Sequence, residues 1–409
     1  MISIHPFKAL RPEAQHAKQV ASRPYDVLNS KEAKIEAQGN HSSFLHITKS
    51  EIDLPEDINI HSQQVYDTAK KNLEAFISRN ILFRESKACY YIYQLIMNGR
   101  NQTGLVCGSS VDDYENDLIK KHEFTRPEKE KDRINHITTT GAQTGNVFLA
   151  YRNVDAIDAL ISKWKKEKNP VYDLLADDGI QHSIWIVNDT DTINAITELF
   201  KTAVPFTYIA DGHHRAASAA KVRKALGGKA TEGANIFLTT LFPSNQLYIM
   251  DYNRVVKDLN GLTIAGFLDK LNEAFTVTKA EKAFSPANLH EFGLYVDKQW
   301  YTLTAKEGTY TNDPIGILDI TILQNNLLDP ILGIKDQRTE QRIDFVGGIR
   351  GIEELSKRVD SGEMAVAISL HPVSIQQLFD IADSGNVMPP KSTWFEPKLR
   401  DGLLTHLID

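Results

Sequence analysis

Between positions 64 and 81, Val65, Ala69, Leu73, Phe76 and Ile77 recur three and four residues apart, with lysines on the other side. That is the spacing of one buried helix face, and it predicts a helix there. The apolar runs Cys89-Tyr90-Tyr91-Ile92-Tyr93 and Gly104-Leu105-Val106-Cys107 flank Asn98-Gly99. Asn-Gly tolerates positive φ at both positions, so a β-hairpin is predicted. Helical spacing returns at 154–168 and 192–203, and compact apolar runs predict strands at 182–187 and 206–210. The alanine-rich run 216–226 reads as a helix, stopped by Gly227-Gly228. Further on, strands are expected at 235–241 and 246–252, a helix at 264–275, a hairpin at 294–305, a helix at 318–327 and a β-like stretch at 342–346. A polar, proline-marked tail closes the chain. The first fifty residues, broken by Pro6, Pro12 and Pro24, read as short extended segments.

This order predicts a mixed α/β (α+β), multi-domain protein without internal repeats. Three regions are expected: an N-terminal α/β region 1–110, a central α/β region 111–260, and a C-terminal α/β region 261–409 with a docked tail. A chain of 409 residues exceeds one ordinary core. Hydrophobic residues at 42% and charged residues at 24% exclude disorder over most of it. Lys plus Arg number 46 against 53 Asp plus Glu, a net charge of −7, which argues against nucleic-acid binding by bulk charge. No run approaches the roughly 18 apolar residues of a membrane span, and Met1 to Phe7 lack a secretory pattern, so a cytoplasmic location is expected. Homo-oligomer formation stays open. The two cysteines, Cys89 and Cys107, lie on either side of the predicted hairpin, where a bridge is conceivable. In a cytoplasmic chain two reduced, half-buried thiols are expected instead. Two cysteines alone make no structural zinc site, and no His pair has zincin spacing.

Asp211-Gly212-His213-His214-Arg215 is where chemistry concentrates. A strand ends, a glycine permits a tight turn, and a helix begins at once. The first amides of that helix lack intrahelical partners and carry the positive end of its dipole, so they suit a phosphate or carboxylate. Arg215 would add a bidentate clamp, and the histidines would donate hydrogen bonds or move a proton. Asp211 would repel an anion, so its role would be metal ligand, general base or orienter of a histidine. The plainer alternative makes Asp211 an N-cap, the histidines solvated, and Arg215 the partner of a surface acid.

Four segments together resemble the family of unknown function DUF1015: Arg23-Pro24-Tyr25-Asp26-Val27, Lys121-His122-Glu123-Phe124-Thr125-Arg126, Tyr208 to Arg215, and Met388 to Lys398. They span the chain. The family tends to carry His-Arg where this chain has Asn253-Arg254, so no proton transfer is assigned there. The loop 211–215 is also similar to the Asp-Gly-His-Thr-Arg loop of free serine kinases, in the ParB/sulfiredoxin-like group of folds. That resemblance implies a nucleotide-binding core of that kind, with Gly212, His213, His214 and Arg215 as phosphate ligands. It implies Asp211 as a catalytic or Mg²⁺-associated carboxylate. His214 stands where the kinases have threonine.

The charge run around His122-Glu123-Phe124-Thr125-Arg126 reads either as a solvated helix face or as part of the site. In the second reading Glu123 is a base or Mg²⁺ ligand, and His122, Thr125, Arg126 and Arg133 contact an anion. Arg23, Tyr25 and Asp26 form a rigid turn that serves as a brace or binds substrate. Lys391, Ser392 and Thr393 belong either to a docked clamp or to the phosphate site. The expected activity is transfer of phosphate between a nucleotide (ATP or ADP) or pyrophosphate and a small hydroxy metabolite, with Asp211, Glu123 and His213 catalytic. The serine-kinase resemblance points to serine and phosphoserine. A phosphoserine phosphatase-like hydrolase and a ParB-like nucleotide-binding regulator are the alternatives.

Overall fold

In a computed structural model describing residues 1–409, Asn98 and Gly99 adopt φ of 52° and 77° and join strands Tyr90–Met97 and Arg100–Ser110. Met97 faces Arg100, so the loop has two residues and takes the positive φ values a right-twisted hairpin favours. The hairpin sits within a nine-stranded sheet. Its path runs Ile119–Lys120, Thr207–Asp211, Val147–Tyr151, Ile236–Pro243, Arg100–Ser110, Tyr90–Met97, Gln181–Val187 and Tyr172–Leu175, with Ile4–His5 added beside Arg100–Ser110. Two neighbouring pairs are parallel: Thr207–Asp211 with Ile119–Lys120, and Ile236–Pro243 with Val147–Tyr151. Central strands are covered on both faces, which explains continuous apolar runs instead of alternation. Ile92, Leu105, Leu149, Ile209 and Leu241 meet Trp164, Phe200 and Ala216 from three helices in one core.

The same register decides the cysteines. Tyr91 faces Val106, so Cys107 shares a face with Tyr90 while Cys89 points to the other side. Both thiols are free, and they are fully buried where half-burial was expected.

The chain divides into two units, Met1–Leu247 with Pro397–Asp409, and Tyr248–Glu396. The expected boundary at 110 is corrected by the sheet: Arg100–Ser110 pairs with Ile236–Pro243, so a cut there would split a hydrogen-bonded ladder. The expected boundary at 260 moves to 247, because Tyr252–Val256 already belongs to the second sheet. The last residues return to the first unit, where His406–Leu407 pairs with Ala142–Gln143 and Arg84 binds Asp409 by two contacts of 2.7 Å.

The second unit carries an antiparallel six-stranded sheet, ordered Phe275–Ala280, Gln299–Ala305, Glu291–Val296, Val366–Leu370, Tyr252–Val256 and Ile343–Gly347. Its inner strand Val366–Leu370 and the helices Glu353–Asp360 and Ile375–Asp383 lie where a polar tail was expected. Val-Ala-Ile-Ser-Leu is short and covered on both faces, so it shows no period. The helix expected at 264–275 ends at Leu271, and Phe275 opens a strand. No helix of the chain is long and apolar enough to cross a membrane.

Candidate functional site

Strand Thr207–Asp211 loses register between Ile209 and Asp211 against its neighbour, and the chain turns at Gly212 with φ of 102°. A Cβ at Gly212 would lie 3.1 Å from Arg215 Cζ and 3.4 Å from Val147 Cα, so the position suits glycine on two grounds. Helix His213–Leu226 begins immediately, with Gly212 as N-cap and no side chain capping it. Asp211 is therefore not the N-cap. Ala216, Ala217, Ala219 and Ala220 are buried, which lets this helix pack closely; Ser218 donates to the carbonyl of Glu130 on helix Pro127–Thr140 at 3.2 Å.

Arg215 is the charge hub. Its Nη2 lies 3.1 Å from Asp26 Oδ2 and 3.3 Å from Asp211 Oδ2, and its Nη1 donates to the carbonyl of Asn146. Burial opposes its charge, but Asp26 and Asp211 outweigh that and raise its pKa further. Asp211 in turn accepts from Lys398 Nζ at 3.2 Å. Burial alone would push the Asp211 carboxyl up; Lys398 and Arg215 hold it well below the usual carboxylate range. Asp401 lies 4% exposed in the same group and accepts from the Tyr25 amide at 3.3 Å. Burial raises its carboxyl to about 7 despite Arg215. Arg133, paired with Asp132 at 2.6 Å, stands 4.0 Å over the Tyr25 ring. Burial pushes the Tyr25 hydroxyl up to about 12.

The segment 121–126 is fastened across the start of this helix by both histidines. His213 Nε2 accepts from the His122 amide at 3.4 Å, and His214 Nε2 accepts from the Arg126 amide at 2.9 Å. Each Nε2 is thereby an acceptor, which puts the proton of the neutral ring on Nδ1. His213 Nδ1 faces Glu123 Oε2 at 3.8 Å. Desolvation lowers His213 well below an ordinary histidine, and lowers His122 and His214 to about 4. His122, packed edge-on against His213 at 4.6 Å, keeps a buried Nδ1 without a hydrogen-bond partner. Thr125 donates its hydroxyl to Glu130, which also binds Lys221.

Asp211, Gly212, His213, His214, Arg215, His122, Glu123, Thr125, Arg126, Tyr25 and Asp26 thus belong to one connected cluster in the first unit. Arg23 stands apart, paired with Glu36 at 2.5 Å. Lys391, Ser392 and Thr393 belong to the second unit, where Lys391 Nζ lies 5.6 Å from the Tyr252 ring and Ser392 donates to Pro389 O at 2.5 Å. Two members escaped the sequence reading, Lys398 and Asp401. Lys398 closes the family segment 388–398 and was the readable signal; Asp401 carries no local pattern.

A Mg²⁺ ion on a nucleotide takes one or two carboxylates besides the phosphates. Asp211 does not fit that job, because two cations already share its Oδ2. Glu123, with 48% of its side chain exposed, is accessible to such an ion, and it would serve either as that ligand or as a base, not as both. No group of three or more His, Cys, Asp or Glu side chains is placed to hold a metal ion by itself.

The family model described as "Protein of unknown function (DUF1015)" matches residues 4–321. No curated protein matches the chain. Among solved structures, the chain is similar to a conserved hypothetical protein from Pyrococcus furiosus (14% identity, TM-score 0.37, covering 74% of this chain and 95% of that one). It is also similar to a free serine kinase in complex with AMP (12% identity, TM-score 0.39, 75% and 91% covered). A third is SbnI with C-terminal truncation from Staphylococcus aureus (11% identity, TM-score 0.39, 74% and 87% covered).

Proposed function

The chain belongs to the DUF1015 family, and on that premise we propose that it transfers phosphate from a nucleotide to a small hydroxylated metabolite of the serine class. The observation that carries this reading is the helix start after Gly212, which no side chain caps, flanked by the compensated pair Asp211–Lys398 and by the carboxylate of Glu123. The loop's likeness to the Asp-Gly-His-Thr-Arg element of free serine kinases supports the same chemistry.

The roles follow from what each group has left to give. Amides of His213 and His214 donate to phosphate oxygens of the donor, with the exposed Arg126 supplying positive charge as negative charge spreads over the transferring group. The metabolite's hydroxyl oxygen attacks the terminal phosphorus, the bond to the bridging oxygen breaks, and the hydroxyl proton passes to Glu123. His213, neutral and bonded to the His122 amide, is a positioning residue that aims its Nδ1–H at Glu123. Arg215, engaged by Asp26, Asp211 and Asn146, positions Asp211 and the turn instead of clamping the phosphate itself.

The test is phosphorus NMR of serine and phosphoserine with ATP, ADP or pyrophosphate, with Mg²⁺ or Mn²⁺ present. Turnover is expected, and Glu123→Gln should lower kcat by about 10²–10⁴-fold while leaving nucleotide affinity unchanged. Absence of turnover in either direction with every donor would sink the enzymatic reading. If nucleotide binding persisted, a regulator without catalysis would become the better one.

A further inference from the structure

Of 17 phenylalanines and four tryptophans, Phe124 alone is exposed, at 72%; every other such ring is buried or half-buried. Exposure of an apolar side chain is commonplace on a loose loop. Phe124 is not on one. Two residues before it, the His122 amide is bonded to His213, and two residues after it, the Arg126 amide is bonded to His214. Thr125 is fastened to the buried Glu130, and Pro127 fixes the start of the next helix. The ring is thus presented to solvent at the apex of a segment tied at both ends to the two residues whose amides open the helix after Gly212. Its flanking exposed side chains are Glu123 and Arg126.

From this placement we infer that Phe124 is the stacking platform for the nucleobase of the phosphate donor, which makes the donor a nucleotide and not pyrophosphate. The inference rests on the phosphate-binding reading of the helix start. A base has a flat π-face that stacks on a phenyl ring with little regard to its identity, so the platform would accept several bases. Pyrophosphate offers no face to the ring and would gain nothing from it.

The experiment compares calorimetric affinities of ADP, AMP and pyrophosphate for the wild-type chain, Phe124→Ala and Phe124→Trp. Phe124→Ala should weaken ADP and AMP by about 5- to 150-fold, the range set by loss of one base–aromatic stack, and leave pyrophosphate unchanged. Phe124→Trp should retain nucleotide affinity, and its added fluorescence should be quenched by ADP but not by pyrophosphate. Because the ring is exposed, neither change threatens folding. Unchanged ADP affinity in Phe124→Ala would overturn the platform and leave the phosphate site standing. Equal loss for ADP and pyrophosphate would overturn it too, by making Phe124 a mere brace of the loop. Failure of the wild-type chain to bind any of the three would overturn the phosphate site, and this inference with it.

Discussion

Arg215 in the first unit and Arg254 in the second are the same residue, both buried, with opposite surroundings. Arg215 has carboxylates of Asp26 and Asp211 within 3.3 Å, and they hold its charge in place. Arg254, 1% exposed on strand Tyr252–Val256, has no carboxylate partner. It donates to Gln337 Oε1 at 3.3 Å, to the carbonyls of Pro390 and Lys391 at 3.3 and 3.0 Å, and to that of Tyr252, with the Phe345 ring 5.2 Å away. Burial drives its guanidinium down to about 9. One arginine organises charge at the turn around Gly212. The other is a hydrogen-bond post that fastens the backbone of 390–391, where Lys391 is held at a φ of 57°. Burial of an arginine by itself therefore says little about function; its acceptors decide.

The widest gap should appear on replacing each arginine by methionine, measured by urea denaturation. Arg215→Met removes the cation paired with Asp26, leaves Asp211 with Lys398 alone, and should cost about 3–5 kcal/mol. Arg254→Met removes a charge that nothing neutralises, so its cost should be limited to unsatisfied carbonyls, about 1–3 kcal/mol. Equal losses would erase the distinction between hub and post.

The hub should also respond to pH in a way the post does not. Because burial raises Asp401 to about 7 in the folded chain, folding retains a proton that the unfolded chain releases near pH 4. That contribution is complete below the unfolded value and is lost as pH rises through 7. Asp401→Asn should therefore gain stability relative to wild type between pH 5 and 8, by about 1–2 kcal/mol. A constant difference across that range would show that Asp401 is ionised throughout.

An exposed arginine sets the lower bound. Arg84 and Asp409, with side chains 40% and 61% exposed, should couple by about 0.2–1 kcal/mol in a double-mutant cycle, weakening with salt. A coupling as large as that of Arg215 would mean that burial is not what separates them.

The helix at Gln63–Ser78, the hairpin at Asn98-Gly99 and the strand–glycine–helix passage at 207–226 were legible because each is fixed by residues a few positions apart: apolar spacing, turn chemistry, a glycine at positive φ. The loop 211–215 and the segment 122–126 were legible as candidate chemistry for the same reason, since residue types adjacent in sequence announce it. Nothing local told that Asp211 would find Lys398, 187 residues later, or that the chain would leave the first unit at 247 and return at 397. Nor did Val366–Leu370 announce itself as an inner strand, because a strand covered on both faces has no period to read. Local pattern fixes the conformation of short stretches through sterics and amide hydrogen bonding. Which charges compensate one another, and which histidines are dried into neutrality, depends on distances and burial that exist only once remote stretches have packed together.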